Sequence, residues 1–96
     1  MLYTFSKSHY DHDELMSSLQ HLTSDDLLLF WLDGVLLPIK YPELFNKLEN
    51  IQVILDADLQ ARNIAKILQQ KAPQIISISM EKCVDITVQH SPQIAY

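Results

Sequence analysis

The sequence predicts a small α/β fold, a doubly wound and mainly parallel sheet with helices on both faces, and two observations carry that reading. Leu27 to Leu32 is an unbroken apolar run set between Asp25-Asp26 and Asp33-Gly34. It is too short for a long amphipathic helix and too apolar for a strand with one wet face. A strand of that kind is covered on both faces, which occurs almost only where helical crossovers flank a parallel sheet. The second observation is order: short apolar runs alternate with helix-period segments along the chain as βαβαβαβα. Residues 1–96 read as a single domain, because a chain of 96 residues has no room for a second core.

Taken in order, Leu2 to Phe5 is a first strand, followed by the polar stretch Ser6 to Asp13. Leu15, Met16, Leu19 and Leu22 then recur at helical spacing, and Asp11 or Asp13 is suited to accept the free amide protons at that helix's start. Thr23-Ser24-Asp25 ends it, the central strand follows, and Asp33-Gly34 turns the chain. Val35 to Ile39 is ambiguous, with Pro38 arguing against a long helix. Pro42 to Leu48 reads as a short helix with proline at its first position, where a missing N–H costs little. Ile51 to Leu55 is the third strand.

Ala57, Ala61, Ile64, Ala65 and Leu68 fall on one helical stripe and predict a single third helix, broken at Ala72-Pro73. Ile75 to Ile78 is the fourth strand. Ser79 to His90 supports a strand through Val84, Ile86 and Val88, or a helix whose apolar face carries Cys83, Val84, Thr87 and Val88. The helix is favoured, because Ser79 is a good cap and a parallel strand needs a crossover after it. Ser91-Pro92 then frees an extended tail, Gln93 to Tyr96.

Composition narrows the function. Twelve acids against seven bases give a formal charge of -5, which repels a phosphate backbone, so direct nucleic-acid binding is not expected. One cysteine excludes an internal disulfide and a CxxC site. No segment approaches the roughly 20 apolar residues that span a bilayer, no targeting segment stands at the start, and the expected location is the cytoplasm. Hydrophobic residues make up 48% of the chain, high for a domain that buries only about two thirds of its unfolded surface. Some of that surface is expected to line an interface.

Candidate chemistry is sparse. Gly34 is the only glycine, so neither GxGxxG nor GxxxxGK[ST] can cradle a phosphate. His9 and His12, with Asp11, Asp13 and Glu14, could bind a divalent metal, but zinc sites usually draw ligands from more than one segment. Acids at a helix start are favoured by its dipole without any metal. Asp33 and Asp56 end strands as the acids of a phosphate-accepting receiver domain do, yet Ser6-Lys7 follows the first strand where such a site needs an acidic pair; turn and cap roles fit better. Cys83 is the sole sulfur nucleophile, next to Lys82 but on a predicted apolar face, the setting of an inert thiol. No catalytic, cofactor-binding or metal-binding residue is assigned.

Three stretches carry a family likeness: Asp33-Gly34-Val35 after the central strand, Asp58-Leu59-Gln60-Ala61-Arg62 in the third helix, and the ending Thr87 to Tyr96. Together, over the whole length, the sequence resembles the DsrH/TusB family of bacterial sulfur-relay proteins. The resemblance implies a DsrE-like fold and a heterohexamer, a dimer of trimers with TusC-like and TusD-like subunits. In that relay, persulfide sulfur comes from a TusA-like protein and is held on a cysteine of the TusD-like subunit. It then leaves through a TusE-like protein for 2-thiouridine synthesis at the tRNA wobble position. The chain of this type lacks the sulfur-carrying cysteine; here the matching Leu55 to Asp58 contains no thiol. Asn63 stands where relatives often have glycine, Ser91 separates His90 from Pro92, and the last residue is Tyr96 rather than tryptophan.

The resulting expectation is a non-catalytic subunit without cofactor. His90, Gln93 and Tyr96 are candidate subunit contacts, and Asp33, Gly34, Asp58 and Arg62 are candidates for either structural or contact roles. Three alternatives stay open: a persulfide carrier using Cys83, a DsrH-like subunit with DsrE and DsrF partners in dissimilatory sulfur oxidation, and a receiver module.

Overall fold

In a computed structural model, which describes residues 1–90 and 92–96, the apolar run begins the central strand of a parallel sheet. The strands are β1 (Leu2–Phe5), β2 (Leu27–Phe30), β3 (Gln52–Leu55), β4 (Ile76–Ile78) and β5 (Gln93–Ala95), in spatial order β4-β3-β2-β1-β5 with every pairing parallel. All four residues of β2 are buried, as a strand covered on both faces requires. Trp31 and Leu32, which the sequence places inside that strand, are exposed. The strand stops because Leu32 enters the left-handed region at φ 52°, costly for a branched side chain, and a 3₁₀ turn over Leu32–Leu36 follows.

The topology assigns the helices to faces. From β1 to β4 the chain steps in one direction, and it then steps back past β1 to form β5. Right-handed crossovers place the forward helices on one face and the return helix on the other. The forward helices are α1 (His12–Gln20), α2 (Leu37–Lys40), α3 (Pro42–Asn46), α4 (Asp56–Ala61) and α5 (Ala65–Lys71), and the return helix is α6 (Met80–Gln89). Two separate buried clusters result. The larger joins Phe5, Phe30, Leu15, Phe45, Leu59 and Leu68, and the smaller joins Leu2, Leu29, Val53, Ile78, Cys83 and Ile86. Among the described residues α6 is the sole helix on its face of the sheet.

Local chemistry explains the ends. Asp11 caps α1 by accepting the Asp13 N–H at 2.8 Å, and Asp13 and Glu14 sit in the first turn, where the helix dipole favours them. The Ser79 hydroxyl accepts the Lys82 N–H at 3.1 Å and starts α6. Asn50 ties the amino ends of β2 and β3 together by donating to the Thr23 and Asp26 carbonyls at 2.6 and 3.0 Å.

Three expectations are corrected. The third helix is two helices, because Asn63 adopts φ 53° between α4 and α5, a conformation asparagine tolerates better than most residues. A stripe counted through that break fails: Ala57 and Ala61 are exposed, and Leu59 is buried instead. The tail is no free end, for Gln93–Ala95 pair with Leu2–Thr4 as β5; of the Ser91-Pro92 break, Ser91 lies outside the described residues. Finally, α6 presents Cys83 and Ile86 to the sheet, while Val84 and Val88 face outward.

Asp26 supplies an acid-sensitive joint. Its buried carboxylate accepts the Thr23 N–H at 2.8 Å and pairs with the terminal ammonium of Met1 at 3.2 Å. The Thr23 N–H, aided by that ammonium and opposed by burial, holds it below the ordinary value of 3.8. A carboxyl group lowered on folding stabilises the native state above its unfolded pKa, and the contribution disappears as pH falls through the folded value. Stability should therefore drop below about pH 4. In urea titrations Asp26→Asn should lose about 1 kcal/mol at pH 7 and show a shallower acid loss. An unchanged acid profile in the variant would assign that lability elsewhere.

Candidate functional site

The carboxyl ends of strands are where open α/β sheets place their working groups, and four of the singled-out residues meet there. Arg62, at the end of α4, places Nη2 2.6 Å from Asp33 Oδ1 in the 3₁₀ turn. Its Nη1 donates to the Asp58 carbonyl at 3.2 Å and lies 3.7 Å from Asp58 Oδ1. The other Asp58 oxygen accepts the Leu32 N–H at 2.6 Å, holding the residue that has φ 52°. Gly34 packs directly on β1: a Cβ there would stand 1.9 Å from the Phe5 carbonyl oxygen. The same oxygen accepts the Trp31 N–H at 3.1 Å.

The guanidinium is occupied by two carboxylates and a carbonyl. Asp33 is 63% exposed, so the ion pair itself contributes about 0–1 kcal/mol. What it fixes is the path of the chain after β2, and hence the exposed pair Trp31-Leu32. Asp33 is ion-paired with Arg62, which it shares with Asp58. Among the described residues no group of three or more histidine, cysteine, aspartate or glutamate side chains converges as a metal site, and His9 Nδ1 faces the Lys40 ammonium at 3.4 Å.

The tail residues fall at opposite ends of the sheet. His90 ends α6, and Gln93 Nε2 donates to its carbonyl at 3.1 Å and to that of Thr87, so both sit at the amino end of β5. Tyr96 lies at the carboxyl end. Its N–H donates to the Thr4 carbonyl at 2.8 Å, and its ring stacks on Phe5 and Tyr3 with centroids at 5.2 and 6.0 Å.

Cys83 is 5% exposed, in the cluster between α6 and the sheet. Burial, with a smaller effect from Asp58, pushes its thiol above the ordinary value, the reverse of what an attacking thiolate needs. Intact folded protein should take up iodoacetamide at Cys83 only after denaturant is added, read as a single mass increment. Rapid labelling of the native chain would contradict the geometry.

Sequence reasoning missed two surface features. Trp31 and Leu32 project from the carboxyl end of β2. Beside α6, a groove of about 500 Å³ is lined on the sheet by Leu27, Val53, Ile76 and Ile78, of which Ile76 is the exposed one, and on the helix by Lys82 and Ile86. The surplus of apolar residues foretold exposed apolar surface, but not its place.

Comparison with known proteins bears on this arrangement. Residues 7–93 match the family model described as DsrH like protein. The chain is 43% identical over 95 residues to an uncharacterized protein of Haemophilus influenzae, covering 99% of each. It is 35% identical over 99 residues to Protein TusB of Yersinia enterocolitica and 34% identical to Protein TusB of Yersinia pestis, in both cases over the whole of each chain.

Proposed function

We propose, from the premise that this chain belongs to the DsrH family, that it is a non-catalytic subunit of a sulfur-relay complex. In this reading it joins TusC-like and TusD-like subunits in a heterohexameric dimer of trimers in the cytoplasm. The complex receives persulfide sulfur from a TusA-like protein and passes it through a TusE-like protein toward 2-thiouridine at the tRNA wobble position. The observation that supports this most is the combination of a buried sole thiol, its pKa raised by that burial, with apolar surface left open. Sulfur relay needs an accessible thiolate that attacks and is attacked. Cys83 offers none, so the chemistry falls to a partner's cysteine and this chain contributes surface. No helix among the described residues is long and apolar enough to cross a membrane.

The test is co-expression with TusC-like and TusD-like chains of the same organism, followed by size exclusion. Co-elution of all three in one peak is expected. Elution of this chain alone, as a stable monomer beside the other two, would overturn the proposal.

A further inference from the structure

The outer surface of α6 carries Met80, Val84 and Val88 at i, i+4 and i+8, one stripe along the helix, and they are 55%, 51% and 78% exposed. The opposite side of the same helix is already used, with Cys83 and Ile86 buried against the sheet. A helix of this kind has two apolar faces, one satisfied within the chain and one not. The stripe is bordered by Glu81 and Asp85, both exposed, and among the described residues neither takes part in an ion pair. Lys82 lies about 160° around the helix from Val84 and, although three residues before Asp85, forms no ion pair with it or with Glu81 among the described residues.

We infer that this stripe docks a different chain, one that presents an apolar ridge edged by lysine or arginine. Charge decides against a second copy. A two-fold pairing through the stripe, with the helices antiparallel, sets Glu81 beside Asp85 of the other copy. Turned parallel, it sets both carboxylates against a flank that Cys83 and Thr87 close onto their own sheet. Neither arrangement supplies a cation, and two chains of formal charge -5 repel at long range as well. A basic rim on a foreign ridge relieves both problems, and like-charge juxtaposition rejects self-association. The inference rests on the subunit reading above and deepens it by naming the surface and the partner's chemistry.

The test uses the co-expressed three-chain assembly and three variants: Val84→Asp, Val88→Asp, and Glu81→Lys with Asp85→Lys. All four side chains point into solvent, and unchanged circular dichroism and melting of each isolated variant verifies folding. The wild type is expected to assemble, with affinity that falls as salt rises. Val84→Asp and Val88→Asp should each weaken assembly by 100-fold or more. The double lysine variant should associate about tenfold more slowly at low salt and lose the salt dependence. If the wild type assembles and both aspartate variants assemble equally well, the stripe is not the docking surface, although the subunit reading stands. If the double lysine variant keeps the wild-type rate and salt dependence, the basic-rim partner is wrong. A homodimer of the isolated chain that Val84→Asp dissolves would assign the stripe to a second copy and overturn the inference. Failure of the wild type to assemble would remove the subunit reading and this inference together.

Discussion

Gly34→Ala is expected to destabilise the isolated chain by at least about 3 kcal/mol, the largest effect of any single methyl group here. The cause is a close approach of two backbones and not a left-handed turn, since no glycine has positive φ. The added carbon would lie 1.9 Å from the Phe5 carbonyl oxygen and 2.5 Å from its carbon. Flexible side chains yield to such a clash, but this partner is the last carbonyl of β1, bonded to Trp31 N–H. The Phe5 ring below it is fully buried between Phe30 and Phe45. Relief therefore means detaching the 3₁₀ turn from β1 or shifting β1 within the core. A domain of this size has only about 5–14 kcal/mol in total, and at 4–8 °C per kcal/mol the melting temperature should fall by about 12 °C or more. Asp33→Ala, one residue away, removes only an exposed ion pair and should cost less than about 1 kcal/mol. Equal melting temperatures for the two variants, at matched protein concentration, would refute the close approach.

The contrast between those neighbours shows what a sequence displays and what it hides. Asp33, Gly34, Asp58 and Arg62 each stood out beside a strand end or within a helix, but nothing local says that they meet. Asp33 and Arg62 are 29 positions apart, and only parallel β2 and β3, ending at the same edge, bring them together. The strands β1 to β4 and the Ser79 cap were legible because their signals are local: apolar runs, turn residues, a hydroxyl before a helix. The apolar period of Ala57 to Leu68 runs straight through Asn63, but the left-handed backbone there resets the face and exchanges Ala57 and Ala61 for Leu59. In α6 the ambiguity was real, since Val84 and Val88 belong to an apolar face that the chain's own sheet does not cover. For β5 no local signal existed. Gln93-Ile94-Ala95 is a strand only because β1 offers an open edge, and that is a property of the assembled sheet.

That edge sets the second large effect: Tyr96→Ala should cost the isolated chain about 2–3 kcal/mol. The Tyr96 ring stacks on Phe5 at an interplanar angle of 12° and on Tyr3 at 24°, extending the larger core past the end of β5. Its carbonyl accepts from the Ser6 hydroxyl at 3.2 Å, so the backbone closes the sheet while the ring covers it. Tyr96→Phe keeps the stacking and should stay within about 0.5 kcal/mol of the parent, as a change away from any buried polar contact does. These variants separate two roles that assembly assays alone would confuse. If Tyr96 serves the fold, alanine lowers the urea midpoint of the isolated chain, with the slope unchanged, and any loss of assembly follows from that. If it serves only as a contact with a sister subunit, alanine leaves the isolated chain intact and weakens the complex. The stacking favours the first outcome. With the ring gone, a frayed β5 would expose the N–H and C=O groups of β1, and that open edge should make the variant prone to aggregate as well as unstable.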